Sequence, residues 1–513
     1  MSEGENRDIL ETVAKGAGIT AFGMFASKFL AYLYRTAVAR TVGPESYGQI
    51  SIGLMVAGIG ITLSSLSLDS AILNYLPKYR HNENEEKVRG IVKSAFTLAL
   101  PASVLLSASI FLSSEFIATA IFESAELTSV IRIFSLAIPF GVVTKISLDV
   151  TKAYKTAKYY VWIRQIGQNI IQLVAAVGLI LLGYKLSGAA GGWLIGAVGG
   201  GIISLYIMEK KFGPLLFSTK EDTREYRKIF RYSYPLILAG AIGSILGWTD
   251  TFFLGYYVNE TSVGLYNAAL PTAMLMLIPY QALAALVMPS MSEVIERDDK
   301  DLTKLLKTLT RWTFTLSFPA FCLMFLFSDQ VLHILFGAEY TKAATSLTIL
   351  AFGYLYSTSV GHLDSVIKAI EKTKILYKNA AVNFVVNIGL NILLIPKLGI
   401  KGAALATTGS IIFSQTLLLI EVYYFQNTQP FSLASIKPIL SALAAVFVTY
   451  IGINHFFQNV PLWALIPGFL VFGIVYLIVL YSMNGIQEDE VKILKNYLIQ
   501  IHSRIRKILA PES

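Results

Sequence analysis

The chain has 513 residues, 54% of them hydrophobic and 15% charged, with a formal net charge of +9. An ordinary soluble protein is about 25% charged, so this composition excludes a water-soluble enzyme or binding module and points to lipid. One cysteine, Cys322, excludes an intrachain disulfide framework and any multi-cysteine metal site.

Apolar stretches long enough to cross the roughly 30 Å hydrocarbon core, about 20 residues each, recur along the whole sequence. They predict an all-α polytopic membrane protein with about fourteen transmembrane helices, at 17–36, 47–76, 91–113, 127–150, 158–183, 188–209, 230–256, 263–292, 308–328, 343–367, 376–396, 400–424, 434–454 and 461–482.

The first span follows a polar stretch, MSEGENRDILETVAK, with no cleavage-site pattern, and is read as a retained helix. It carries Lys28 and Arg35, seven residues apart and therefore on one face with Met24 and Tyr32. A cation inside a span is expensive and marks a candidate site, although Arg35, at the helix end, is also placed to snorkel to outer headgroups. RTAVARTVGPESYG at 35–48 turns at Gly43-Pro44 into the second span, which holds Asp69. The fourth span adds Arg132, Lys145 and Asp149; Lys145 and Asp149 stand at i, i+4, where a mutual ion pair competes with a ligand role. The fifth carries Arg164, Gln165, Gln168, Asn169 and Gln172. In the sixth, Gly188, Gly192, Gly196 and Gly200 recur every fourth residue, a pattern that lets a neighbouring backbone come close.

A charged segment, KKFGPLLFSTKEDTREYRK at 210–228, is the natural linker to the seventh span, which holds Asp250. Asn259, Glu260 and Thr261 form a sequon that reads as a plain turn. Asp364 lies in the tenth span. The eleventh has Asn379, Asn383, Asn387 and Asn391, drifting only about 40° per step around the helix, an amide stripe suited either to sugar hydroxyls in a wet cavity or to neighbouring helices. Pro139, Pro235, Pro271, Pro279 and Pro319 interrupt spans and permit bends. After the last span, Val491, Leu494, Leu498, Ile501, Ile505 and Leu509 form an apolar stripe among basic residues, which predicts a helix on the inner membrane surface.

The sequence repeats itself. SEFIATAIF (114–122) answers SDQVLHILF (328–336), LDVTKAYKTAK (148–158) answers LDSVIKAIEKTK (363–374), and LGYKLSGAA (182–190) answers LGIKGAA (398–404). Two parallel six-helix repeats plus two C-terminal helices follow. The expected boundaries are an N-lobe at 1–212, a cytoplasmic linker at 213–228, a C-lobe at 229–425, the two extra helices at 426–484 and the amphipathic helix at 485–513. An even number of spans per repeat keeps both copies in one orientation, with a site between them near the midplane. The offset makes Asp250 the counterpart of Arg35, which predicts that the two meet as an outer gate.

Lys and Arg collect in cytoplasmic loops. With the N-terminus inside, thirty of the 42 fall in inner segments and six in outer ones, so both termini are expected in the cytoplasm. A basic inner face against an anionic leaflet accounts for the net charge without nucleic acid. The five histidines match no metal spacing, and no nucleophile-elbow or phosphate-loop motif is present, so neither an enzyme nor a cofactor is expected.

Three stretches, RTAVARTVGPESYG (35–48), VGLYNAALPTAMLMLIPYQALAALVMPSMSE (263–293) and NIGLNILLIPKLGIKGAALATTGS (387–410), resemble the polysaccharide transporter, O-antigen flippase-like family of the multidrug/oligosaccharidyl-lipid/polysaccharide exporter superfamily. The matching positions are Arg35, Arg40, Gly43, Pro44, Glu45, Gly48, Asp250, Gly264, Tyr266, Pro289, Asn387, Asn391, Gly399 and Gly402. The resemblance implies flipping of an oligosaccharide linked to lipid through phosphate or diphosphate, by alternating access, for surface polysaccharide or glycoprotein assembly. It also implies that basic residues facing a central cavity hold the phosphates. Lys28, Arg35, Lys145 and Arg164, with Arg132, are the candidates here, and Asp250, Asp69, Asp149 and Asp364 are candidates for gating or coupling. Gln168, Gln172 and the four asparagines are candidates for glycan contact or packing. Membrane lipids are implied partners; a proton, a sodium ion and glycan-assembly enzymes stay open as further ones. The rival readings are a cation-coupled multidrug antiporter, which would prefer an acid-dominated cavity, and a membrane glycosyltransferase or polymerase, which would want a large extramembranous domain.

Overall fold

The computed structural model describes residues 3–156, 158–284, 299–456 and 462–485. Every element among them is a helix, and twelve are long and apolar enough to cross a membrane. The expected fourteen spans differ from these twelve at two places. The helix Glu3–Ser64 runs through the first expected span and most of the second, whose end falls in the helix Leu68–His81, and is interrupted only at Gly43 (φ 80°, ψ 171°) before Pro44. Glycine alone takes that φ without strain, and a proline at the start of the second helical stretch loses no hydrogen bond. The tenth span, expected at 343–367, is the sixteen-residue helix Ala344–Ser359; Gly361 (φ 77°) stops it before the short helix Leu363–Ala369. All but the first residue of the expected amphipathic helix at 485–513, and Pro289, lie outside the described residues.

The chain forms two compact units, one of residues 1–272, 332–349 and 380–410, the other of 273–331, 350–379 and 411–513. In the first unit, Leu68, Ile72, Ile91, Val92, Val142 and Ile146 form an apolar core between the helices Leu68–His81, Glu85–Leu112 and Ile138–Ala153. Asn84 caps the second of these, its side chain accepting from the Lys87 N–H at 2.9 Å, with Glu85 and Glu86 favourably placed in the first turn. The expected turn at 259–261 is also a helix start: Asn259 accepts from the Ser262 N–H at 2.9 Å.

The glycine stripe does what its spacing predicts. A Cβ on Gly192 would stand 2.4 Å from the Ala176 nitrogen, and one on Gly196 would stand 2.1 Å from Cγ of Gln172. The helices Gln168–Leu181 and Lys185–Phe212 therefore touch nearly backbone to backbone. A tighter crossing joins the first helix to Glu260–Ala273. Cβ atoms on Gly48 and Gly264 would fall 1.8 Å from the Glu260 carbonyl oxygen and 1.9 Å from that of Pro44.

The linker lies flat on helix Glu85–Leu112. Lys93 donates to the Ser218 carbonyl (2.6 Å) and pairs with Asp222 (2.7 Å), Arg89 donates to the Glu221 carbonyl, and Ser94 accepts from the Glu225 N–H (3.1 Å). The Thr223 carbonyl oxygen would be 1.9 Å from a Cβ at residue 90, so the closeness depends on Gly90. In the second unit, Leu302, Leu306, Leu363, Val366, Ile367 and Leu418 form one core. The helices Ile436–Phe456 and Leu465–Ser482 pack on Asp299–Leu326 through Ala442, Phe472 and Cys322, and Tyr476 donates to the Thr315 carbonyl at 2.7 Å.

The sequence repeat recurs in the backbone. Left-handed residues end helical stretches at Glu123 and Gly337, Lys155 and Glu371, Gly183 and Gly399, and Gly213 and Asn427, each pair 214 or 216 residues apart. Such residues satisfy the last carbonyls of a helix and stop it, so the two halves share their stop signals.

Candidate functional site

Five charged side chains meet in the first unit, on the helices Leu68–His81 and Ile138–Ala153 and in the segment that follows. Lys145 Nζ lies 3.1 Å from Asp69 Oδ1 and donates to Ser65 Oγ at 2.9 Å. Asp149, buried at 5% exposure, pairs with Lys152 at 2.7 Å, and the Lys152 ammonium sits 3.7 Å from the centre of the Tyr160 ring. The i, i+4 ion pair between Lys145 and Asp149, one of the two readings of that spacing, is therefore not formed. Each takes another partner: Asp69 reaches Lys145 from a neighbouring helix, and Lys152, one turn on, neutralises Asp149.

Arg164 completes the group. Asp149 and Tyr160 are titratable neighbours that act on it, and its Nη1 donates to Gln168 Oε1 at 2.9 Å. Three cations thus face two carboxylates, and the cation in excess is held by a neutral amide. Arg164 lies in the π-helical segment Val161–Gly167, where the wider turn re-aims a side chain, a device frequent at functional sites. Gly167 permits the local geometry, because a Cβ there would be 2.9 Å from the Trp162 carbonyl oxygen.

A second polar group surrounds Asp250. Tyr266 and Thr407 hydroxyls each donate to Oδ2 at 2.5 Å, and Asn391 Nδ2 donates to Oδ1 at 2.8 Å. Asn391 also donates to Asn387 Oδ1 (3.1 Å), and Asn387 to Ser410 Oγ (3.2 Å). Among the described residues no cation pairs with Asp250. The expected contact between Arg35 and Asp250 is absent, because each is satisfied elsewhere: Arg35 is half-buried and interacts with Tyr32, Tyr34 and Tyr47. Arg40, from the same motif, caps a helix, its guanidinium donating to the His333, Ile334 and Leu335 carbonyls at the end of Ser328–Phe336.

The remaining candidates are dispersed. Lys28 is exposed on the first helix. Arg132 donates to Ser114 Oγ at 2.9 Å and lies over the Phe111 ring, apart from the charged cluster. Asp364 belongs to the second unit, bonded to Tyr280 (2.6 Å) and Lys368 (2.6 Å). Gln168 and Gln172, at 4% and 6% exposure, face the glycine stripe. Asn379 donates to Glu421 at 2.5 Å, and Asn383, half-buried, leaves its Oδ1 unpartnered. The amide stripe is thus largely engaged between helices and does not form one open face. Among the described residues no group of three or more His, Cys, Asp or Glu side chains converges to hold a metal. Sequence reasoning passed over Lys152, whose signal was its place three residues after Asp149, and over Thr407, whose partner is 157 residues away.

A family model described as polysaccharide biosynthesis protein matches residues 13–295. The chain belongs to that family. A second model, lipid II flippase MurJ, matches residues 161–476. An uncharacterized membrane protein of Methanocaldococcus jannaschii is 25% identical over 94% of this chain and 97% of its own length. A Haloferax volcanii protein described as a probable low-salt glycan biosynthesis flippase is 24% identical over 47% of this chain, about half of that protein at 52%. Among solved structures, the lipid II flippase MurJ in an inward closed conformation superposes with a TM-score of 0.70 at 19% identity, over 90% of this chain and 97% of that one. An inward-facing multidrug transporter of the same superfamily reaches 0.64 at 16% identity, over 78% and 94%. The fold is therefore that of these two solved transporters.

Proposed function

We propose that this multi-pass membrane protein is a flippase that carries an oligosaccharide, linked to lipid through phosphate or diphosphate, from the inner to the outer leaflet by alternating access between its two repeats. Family membership supports the transporter class. The observation that carries the substrate class is the charged cluster: Lys145, Lys152 and Arg164 outnumber Asp69 and Asp149, and Arg164 is held by Gln168 instead of a carboxylate. Arg164 is exposed, and its guanidinium offers paired donors that match a phosphate through charge-assisted bonds stronger than neutral ones. A drug-cation antiporter would be served by the opposite balance. Both termini lie in the cytoplasm on this reading, where the basic loops meet the anionic leaflet. Coupling to a proton or sodium ion is assigned to Asp250, whose carboxylate is met, among the described residues, by neutral donors.

Deleting the gene should abolish the surface glycan and let the lipid-linked oligosaccharide accumulate facing inward, and the wild-type gene should restore both. In the same complementation, Asp250→Asn keeps the side chain's shape and should remove the dependence of transport on the ion gradient. Unchanged surface glycan together with drug hypersensitivity would replace the flippase by the antiporter.

A further inference from the structure

At the start of helix Tyr226–Leu246 a depression of about 650 Å³ is lined by Tyr75, Arg227, Lys228, Arg231 and Tyr232. A second, of about 510 Å³, shares Arg227 and Arg231 and adds Phe230 and Tyr234. None of these residues belongs to the cluster around Asp149. The Tyr75 and Tyr232 rings meet edge to face at 5.3 Å, and Lys228, paired with Glu225 at 3.2 Å, lies 4.9 Å from the Tyr75 ring centre, so one wall is fixed. Arg227 and Arg231 have no carboxylate partner among the described residues. Spaced four apart, they project from one helix face and repel each other unless an anion sits between them.

The adjoining face is apolar. Phe230, Tyr234 and Leu238, again four residues apart, are 43%, 67% and 67% exposed. Cations at one end of an exposed apolar stripe match an amphiphile with an anionic head and a hydrocarbon tail, and tyrosines rim the transition as they do at membrane interfaces. We propose that this double depression docks the phosphate headgroup of a lipid in the inner leaflet, with Arg227 and Arg231 gripping the phosphate and the chain lying along Phe230, Tyr234 and Leu238. The inference rests on the flippase reading and its inward orientation. It deepens that reading by placing lipid capture outside the charged cluster.

The test is lipid binding by the purified full-length chain in detergent, followed by native mass spectrometry. Dioleoyl phosphatidic acid and a polyprenyl diphosphate serve as probes, with phosphatidylcholine as the uncharged reference. Two charge-assisted contacts are lost in Arg227→Gln/Arg231→Gln, so affinity for the phosphate lipids should fall about tenfold or more, while Arg227→Lys/Arg231→Lys, which keeps charge but loses the paired donors, should fall less. Lys211→Gln/Lys220→Gln removes two charges elsewhere on the same side and should bind as wild type, and thermal unfolding of each variant establishes that it is folded. A preference for the polyprenyl diphosphate identifies substrate capture, and equal affinity identifies a general phospholipid site; both support docking. Unchanged affinity in the glutamine pair overturns the inference, as do an equal loss in the Lys211/Lys220 control and displacement of lipid by equimolar inorganic phosphate. Binding needs no flipping, so arginine-dependent binding beside an intact surface glycan in the deletion strain would sink the flippase reading alone.

Discussion

Arg164 and Arg40 show how context divides two arginines of one chain. The guanidinium of Arg40 is spent on three carbonyls at a helix end, a structural use that leaves little for a ligand. Arg164 has an amide, Gln168, for its hydrogen bond and sits beside two lysine–aspartate pairs that largely cancel. Replacing Arg164 by Gln should therefore lower flipping by about tenfold or more, the worth of one or two charge-assisted bonds, while amounts in the membrane and thermal stability stay near wild type. Arg164→Lys should recover part of the activity. Surface-glycan complementation alongside membrane immunoblots reads both, and full activity in the glutamine variant would remove Arg164 from the substrate path. The cations at 145 and 164 were visible in the sequence as charges in apolar surroundings. Their partners were not, because Asp69 and Lys145 are brought together by helix packing that no local pattern encodes.

Helices here are fitted by their glycines, and two contacts expose that fit to measurement. Gly48 and Gly264 each face backbone, which cannot give way as a flexible side chain can. Gly48→Ala should cost at least about 3 kcal/mol, at the upper end of overpacking penalties, seen as a lowered thermal unfolding midpoint of the purified protein; an unchanged midpoint would show that the crossing tolerates a methyl group. The linker gives the second case. The hydrogen bond from Lys93, aided by Arg224, holds the Asp222 carboxyl below its usual range. A carboxylate with a depressed pKa lends its stabilisation above the ordinary carboxylate value and loses it as pH falls through the folded one. The strap should therefore stay closed at neutral pH and loosen only in acid below the ordinary carboxylate range. Asp222→Asn should loosen it already at pH 7, raising tryptic cleavage after Lys220 and Arg224 about tenfold for the loss of charge-assisted bonds; equal cleavage of both proteins would mean that the backbone contacts suffice. Spacing announced the glycine stripe of the sixth span, because a four-residue period is a property of one helix. The strap was read only as a linker, since its partners on Glu85–Leu112 lie about 130 residues upstream.

For the whole molecule, long apolar stretches made the helical membrane class legible and recurring motifs the internal duplication, with which the shared left-handed stops at 183 and 399 agree. The span count was harder, because the helix continues across Gly43 between two apolar runs and Gly361 ends one early. Orientation is open to a direct check. Cys322 is buried at 6% exposure, so background labelling should be low. Lys185→Cys should react with an impermeant maleimide on intact cells, and Lys220→Cys only after the membrane is opened; the reverse pattern would turn the protein over.

The ring of donors around Asp250 is assembled from distant parts of the chain, with Tyr266 close by but Asn391 and Thr407 more than 140 residues further on. The helix that carries the carboxylate is synthesised before either of those later donors. A product that stops before residue 391 leaves the acid with Tyr266 alone of these three donors, a mark by which cellular proteolysis would tell a truncated copy from a finished one.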